Sequence, residues 1–361
     1  MKQSNQHLEE AARYLACNGK LRHAVGALDA DVLEPHFLGV GEHNLNYWFD
    51  VPSNSQKFVL RVNVVPQPFH DDQVAYEFGA LRTLAPSGRV PEPVYLDNSE
   101  DALEEGTLII GFCEGDQLDF DHLRPGDLRC AAQIMADVHA APVMADCTVF
   151  RPENPLKRLF EECLQRFEAY RASGFEDARI TRWVESFIAA AEPITQTACL
   201  PSDCTHIVNT ESLPSHFLIP AESAAQAAAA GDIGRFCENP GSFVDWERPV
   251  IGEVAQDVAY FVSPTTTFWD SDFLFPADKA HAFVEDYWRA VDGRFERGNF
   301  DDRFRAFRMI TALRSATWFC KQLPTYKLGT SHMSEKARRK FPAYLSDDFM
   351  SMLARDCFGL Q

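Results

Sequence analysis

The spacing of hydrophobic positions changes character along this chain, and each change marks a different kind of element. Between His7 and Leu28, apolar residues fall at Leu8, Ala11, Ala12, Tyr14 and Leu15, then at Leu21, Val25 and Leu28, with Gly19 between the two sets. Spacing by three and four predicts two short helices. From Pro35 the period shortens to that of strands, over Phe37 to Gly41, Leu45 to Val51 and Phe58 to Val64, with Pro52 to Ser55 as a turn. A helix over Asp71 to Ala85 follows, stopped by Pro86-Ser87-Gly88, and then strands at Val94 to Leu96 and Thr107 to Phe112. The pattern predicts a small antiparallel sheet with one helix.

After Gly115 the pattern is mainly helical. Amphipathic segments run over Leu128 to Ala140, Leu156 to Ser173, Ile180 to Ala191, Asp278 to Val291, Asp302 to Gln322 and Ser346 to Cys357, and an alanine-rich helix is expected over Ala221 to Asp232. The fold class expected is α+β in two lobes, a small antiparallel sheet lobe and a larger helical lobe. Its divisions are a helical extension over 1–35, a sheet lobe over 36–115 and a helical lobe over 116–361.

One interruption of the helical lobe carries the chemistry. Ile207-Val208 and Phe217-Leu218-Ile219 read as two short buried strands, so Glu211 and His216 fall in the polar loop between them, and Asp245 ends a third apolar run at Phe243-Val244. A carboxylate that orients an attacking group, with two further ligands for a divalent metal, is a set suited to phosphoryl transfer. Upstream, the Gly39-Val40-Gly41-Glu42-His43-Asn44 turn would let backbone amides approach phosphate oxygens, although a hairpin also uses glycine for its conformation alone. Arg61 on the third strand and Glu77 on the helix are placed to pair, which would aim a guanidinium at nucleotide phosphates.

Composition narrows the partners. At 361 residues, 46% hydrophobic and 24% charged, the chain is an ordinary globular one, and its net charge of −19 without a basic cluster argues against nucleic acid. No apolar run reaches membrane-spanning length and residues 1–7 lack the apolar core of a secretory signal, so a cytoplasmic protein with no membrane partner is expected. Ten cysteines without a C-x-x-C pair read as reduced and mostly buried, with Cys113 the one candidate for reactivity.

The order of parts resembles the aminoglycoside phosphotransferase and choline kinase-like family of the protein-kinase-like superfamily, over about Phe37 to Tyr326. The likeness is carried by Tyr76 to Leu84 with Val90-Pro91-Glu92-Pro93-Val94, by Ile134 to Ala140, by Val244-Asp245-Trp246-Glu247 followed by Gln256-Asp257-Val258-Ala259, and by the late helix Arg308 to Leu323. The resemblance implies a protein-kinase-like fold. It also implies ATP and a divalent metal (magnesium or manganese) as cofactors, Gly39, Gly41, Asn44, Arg61 and Glu77 as nucleotide-binding residues, Glu211 as catalytic carboxylate, and His216 with Asp245 as metal ligands. The expected activity is ATP-dependent phosphorylation of a hydroxyl on a small-molecule acceptor.

The loop departs from the family's H-G-D-x-x-x-x-N pattern. It reads Asn209-Thr210-Glu211 and then His216, with Pro214 and the spacing kept. Glu211 adds a methylene to the aspartate, His216 replaces a hard oxygen ligand by an imidazole, and Thr210 adds a Cβ where the family has glycine. A kinase-like module that binds a nucleotide or small ligand without transfer is therefore the alternative. For the acceptor, Phe268-Trp269-Asp270-Ser271-Asp272, Glu285-Asp286-Tyr287-Trp288 and Trp318-Phe319 place aromatics beside carboxylates, which would suit a cationic metabolite or antibiotic, while the same aromatics could simply pack a core.

Overall fold

The computed structural model describes residues 2–41, 43–65, 72–99, 101–195, 205–231, 234–331, 333 and 335–360. Glu42 of the glycine turn, Asp71 at the start of one expected helix and Asp232 at the end of another lie outside the described residues.

Two helices, α1 (Lys2–Cys17) and α2 (Gly19–Ala24), precede a sheet of β1 (His36–Val40), β2 (Asn44–Val51) and β3 (Gln56–Asn63), then α3 (Gln73–Leu84), β4 (Pro93–Asp97) and β5 (Thr107–Gly111). The five strands are antiparallel in the order β1-β2-β3-β5-β4. Because side chains alternate across a strand, β3 sends Phe58, Leu60 and Val62 to one face and Val59 and Arg61 to the other. The first face, with Tyr47, Phe49 and Ile109, is covered by Ala11, Tyr14, Leu15, Leu21 and Val25 of the N-terminal segment. The opposite face packs on α3, through Val74, Ala80, Leu81 and Leu84. Alternation thus puts Arg61 on the α3 side, where Glu77 meets it.

The chain leaves the sheet through Phe112-Cys113-Glu114-Gly115. Gly115 has φ +129°, and a Cβ there would lie 2.8 Å from the Ile219 backbone nitrogen, so glycine allows the crossover to press on the strand behind it. The helical lobe follows: β6 (Asp116–Gln117), α4 (Asp127–His139), α5 (Pro155–Arg171), α6 (Ala178–Thr195), β7 (His206–Val208), β8 (Phe217–Ile219), α7 (Ala221–Ala229), β9 (Ser242–Phe243) and β10 (Val250–Gly252). It closes with α8 (Val254–Phe261), α9 (Pro264–Asp270), α10 (Ala277–Val291), α11 (Phe300–Leu328), α12 (Glu335–Tyr344) and α13 (Asp347–Phe358). Strands β7 and β10 pair with each other, and β8 lies between β6 and β9. Most expected helices appear within a few residues of their expected ends, whereas α9, α12 and the short pairs β6 and β10 were not read from the pattern; a two- or three-residue strand shows no period. Among the described residues, no helix is long and apolar enough to cross a membrane. No described cysteine is disulfide-bonded, and burial pushes the Cys113 thiol up, away from nucleophilic reactivity.

Candidate active site

The loop between β7 and β8 is held by its neighbours before any ligand arrives. Strand β7 pairs with β10, which feeds directly into α8, and the buried Asp257 of that helix accepts the backbone N–H groups of Asn209 at 2.7 Å and Thr210 at 2.8 Å. His139 of α4 lies behind it, with Nε2 3.3 Å from the same carboxylate and Nδ1 2.9 Å from the Tyr287 hydroxyl. A carboxylate only accepts, so His139 donates from Nε2 and accepts the tyrosine proton on Nδ1. His139 is thus a satisfied core residue and not a ligand. Thr210 sits at φ +73°, a left-handed conformation unfavourable for a β-branched residue, and its hydroxyl donates to the Arg248 carbonyl at 3.1 Å.

Asp245 follows β9 and is also left-handed, at φ +66°. The Asn209 amide donates to its carbonyl at 2.7 Å, and the Val244 amide donates to the His216 carbonyl at 2.8 Å, so the backbone ties together the loop's two ends and Asp245. Across the cleft, Arg61 donates from Nε to Glu77 at 3.1 Å and from Nη2 to Asp245 at 2.8 Å and Glu247 at 2.5 Å. Burial alone would lower the Arg61 pKa, but Glu77, Asp245 and Glu247 outweigh it and push it above the usual arginine range. Burial pushes the Glu77 carboxyl up to about 7, against the pull of Arg61 and with help from the negative charges of Glu247 and Asp245. One guanidinium thus neutralises only one of three carboxylates, leaving a negative excess for a second cation to meet.

The excess lies beside the metal ligands expected from the sequence, Asp245 and His216, although these two and Glu247 do not bring three donor atoms within 4.8 Å of one another. Asp245 and Glu247 offer hard oxygens on the two sides of Arg61 Nη2, and His216 Nε2 lies 3.3 Å from Asp245 Oδ2 while its Nδ1 is buried without a hydrogen-bond partner.

Glu211 opens on the same cleft. Arg314 Nη2 of α11 donates to it at 2.7 Å, and Arg248 Nη1 lies 3.7 Å away. Burial would raise its pKa, but Arg314 and Arg248 prevail and hold the carboxyl below the usual range, so it is ionised at neutral pH.

All the residues assigned from the sequence except Asn44 line one cleft of about 840 Å³. Asn44 is buried on β2 and donates its amide to Glu247, so it anchors a carboxylate that lines the cleft. Gly39 and Gly41 do not adopt positive φ, and a Cβ on Gly39 would meet nothing within 4 Å. Neither conformation nor packing demands glycine there; what the missing Cβ leaves is room in the cleft.

Sequence reasoning gave no role to Glu247, Arg166, Arg248 or Arg314. Glu247 could have been found, since it follows Asp245 by two positions; the arginines come from three distant segments and leave no local signal. Of the carboxylates expected around a cationic acceptor, the Asp270 side chain lies outside the described residues, and the others lie away from the cleft. Glu285 pairs with Arg297, Asp286 with Arg129 and Arg289, and the exposed Asp272 with Lys340, and none of them lines the cleft. Of the aromatics, Trp269, Trp318 and Phe319 line it, whereas Tyr287 is fully buried in the core.

A family model described as the phosphotransferase enzyme family matches residues 36–200. No curated protein matches the chain in sequence. Spectinomycin phosphotransferase, in complex with ADP and spectinomycin, is similar in structure, with TM-score 0.58 at 9% identity over 90% of this chain and 92% of that one. Choline kinase from Cryptosporidium parvum Iowa II gives 0.58 at 14% identity, over 89% of this chain and 90% of its own. Plasmodium vivax ethanolamine kinase gives 0.57 at 15%, over 94% and 88%. The chain shares the two-lobed α+β fold of these phosphotransferase and kinase structures, as the sequence led us to expect.

Proposed function

We propose, for a chain with the protein-kinase-like fold whose residues 36–200 match phosphotransferase enzymes, that it transfers the γ-phosphoryl group of ATP to a hydroxyl of a small-molecule acceptor. One observation carries this reading: Arg61, held by Glu77, reaches Asp245 and Glu247 on one side of the cleft, and Glu211 lies on the other side of the same cleft. That Arg61, Asp245, Glu247 and Glu211 line one volume supports their reading as phosphate clamp, metal site and orienting carboxylate of a phosphoryl transfer.

The apolar residues Leu38, Val40, Val59, Ile110, Phe112 and Leu218 line the sheet end of the cleft and suit a nucleotide base. Gly39 and Gly41 leave room for the phosphates, and Arg61 clamps them. A divalent metal held by Asp245 with His216 would supply charge neutralisation on the phosphate oxygens. The acceptor hydroxyl oxygen forms the new P–O bond, and the bond from the γ-phosphorus to the β–γ bridging oxygen breaks, its electron pair leaving on ADP. The hydroxyl proton passes to Glu211 and then to solvent. A carboxylate held low by two arginines is a weak base, so its main contribution is to orient the hydroxyl, with proton transfer late.

Thermal shift with ATP tests this, scanned over magnesium, manganese and zinc. A ligand at a hundred times its Kd adds about 2.7 kcal/mol, so a metal-dependent rise in Tm of a few degrees is expected, and Asp245→Asn should abolish it. A shift that survives unchanged in Asp245→Asn would refute the metal assignment.

A second reading, nucleotide binding without transfer, is favoured by one feature: both Asp245 oxygens are engaged, by Arg61 and His216. Glu211→Gln separates the two. Under the first reading it cuts phosphate transfer by a hundredfold or more while ATP affinity is kept; under the second there is no transfer to lose. Restoring aspartate at 211 and asparagine at 216 should raise turnover if the enzyme is a slowed kinase.

A further inference from the structure

Two sulfurs meet inside the helical lobe without any C-x-x-C spacing to mark them. Cys130 of α4 and Cys237, in the segment between α7 and β9, are 107 positions apart in the chain, and their Sγ atoms lie 3.9 Å from each other. Cys130 is fully buried and Cys237 is 8% exposed, so the pair opens to solvent on the Cys237 side.

Helix α4 grips the backbone around Cys237. Gln133 stands one turn on from Cys130, on the same face of the helix. Its side chain donates to the Cys237 carbonyl at 2.8 Å and accepts the N–H groups of Phe236 at 2.7 Å and Cys237 at 3.2 Å. A buried amide bonded at both ends to one stretch of coil fixes that stretch, and with it the place of the Cys237 sulfur. Guanidiniums lie on the same side. Arg89 donates to the Asn239 side chain at 2.9 Å and to the Glu238 carbonyl at 3.3 Å, and both Arg89 and Arg235 pair with the buried Asp137. A hydrogen bond from the Cys130 thiol holds the Cys237 thiol below its ordinary value, against burial and with help from Arg89 and Arg235. The same bond, and then burial, push the Cys130 thiol up. The two sulfurs are therefore unlike: Cys237 has the thiolate character of a nucleophile, and Cys130 keeps its proton.

We propose that Cys130 and Cys237 form a peroxide-sensitive dithiol, in which Cys237 meets the hydroperoxide and Cys130 closes a reversible disulfide. The inference does not depend on the phosphotransfer reading. The Cys237 sulfur attacks one peroxide oxygen and the O–O bond breaks, which leaves a sulfenic acid; the departing hydroxide takes up the proton given by the thiol and becomes water. The Cys130 sulfur then attacks the Cys237 sulfur, the S–S bond forms, the S–O bond breaks, and the hydroxyl leaves with the Cys130 proton as a second water. Two thiols lose two electrons and one peroxide gains them. Closing the bond brings the sulfurs together by roughly 2 Å. Residues 234–241 form neither helix nor strand, so the segment can follow without breaking a ladder of backbone bonds. The disulfide would staple to α4 the segment that leads into β9 and, two residues later, to Asp245.

The test treats the reduced full chain with hydrogen peroxide, blocks the remaining thiols by alkylation and maps the peptides by mass spectrometry. A Cys130–Cys237 linked peptide is expected, lighter by two hydrogens and reversed by dithiothreitol. The exposed Cys17 is the internal reference, and Cys237 should be consumed about tenfold faster or more. In Cys130→Ala, Cys237 should stop at a sulfenic acid that dimedone captures, and in Cys237→Ser, Cys130 should stay reduced; the Tm of each variant reports its folding. Hydrogen exchange at residues 236–243 should slow in the oxidised wild type and stay unchanged in Cys130→Ala after the same treatment. If Cys130 and Cys237 both remain reduced while Cys17 is consumed, or if the link forms only in urea, the two thiols merely pack the core and the proposal fails. A sulfenic acid that persists on Cys237 in the wild type would equally remove Cys130 as its partner.

Discussion

Arg61 among three carboxylates sets the behaviour of the unliganded site, because a single guanidinium cannot compensate Glu77, Asp245 and Glu247 together. The deficit falls on Glu77, the most enclosed of them, whose carboxyl is pushed up to about 7 by burial above all. Its folded pKa exceeds its unfolded one, so the folded state binds a proton more readily between about 4.5 and about 7. The resulting stabilisation is fully present below that window and lost as pH rises through it. In metal-free buffer, the Tm of the wild type should therefore fall relative to that of Glu77→Gln between pH 5 and pH 8, by a few degrees. Parallel Tm curves for the two proteins would show that Glu77 stays ionised throughout. The pairing of Arg61 with Glu77 was legible in the sequence, because a strand residue and a helix residue on facing sides have a fixed relation. The rest of the network was not. Asn44 was read as a ligand of the nucleotide because it ends a glycine turn, but β2 begins at Asn44 itself, which turns the side chain inward to Glu247.

At the scale of elements, the candidate loop depends on α8. Asp257 accepts two loop N–H groups and the His139 imidazole, so one carboxylate fixes the backbone of Asn209 and Thr210 and joins β7 to α4. That fixed backbone keeps Thr210 at φ +73°, where an unrestrained β-branched residue would relax. Replacing Asp257 by Asn keeps the shape but turns an amide NH2 toward one of three donors and removes the charge, at a cost of about 2–4 kcal/mol. Tm should fall by roughly 3–5 °C, and hydrogen exchange at residues 209–211 should speed up more than at β3. Equal exchange in wild type and Asp257→Asn would mean that the loop is held by its strands alone. The long elements around this loop could be read from the sequence because their hydrophobic period is sustained over three or more turns. The short strands β6 and β10 could not, since two or three residues are given their place by tertiary pairing and not by a period. At the acceptor end the sequence allowed either a binding wall or a packed core for the aromatics beside carboxylates; in α10 Glu285 and Asp286 turn to arginines outside the cleft and Tyr287 is buried, as core packing has it.

Over the whole molecule, two bodies of apolar side chains lie on opposite faces of the five-stranded sheet. One runs from Val59, Leu108 and Ile110 through α3 into the helical lobe as a single cluster. The other is local, formed where α1 and α2 cover Tyr47, Phe49, Leu60 and Ile109. It also has a polar tie, the Tyr14 hydroxyl donating to Asp97 at 2.6 Å. Among the described residues none of α1 or α2 lines the cleft, yet β3 carries Leu60 against these helices and Arg61 toward the cleft. The strand cannot lose one contact and keep the geometry of the other, so the N-terminal helices should unfold with the rest of the protein and not before it. Leu15 is fully buried in the local cluster, and Leu15→Ala should cost about 3 kcal/mol. If the sheet couples the two bodies, calorimetry of Leu15→Ala will show one transition, shifted down by roughly 5 °C, with no new low-temperature step. A split into two transitions, the upper one at the wild-type temperature, would show that the outer cluster melts independently and that Arg61 keeps its place without it.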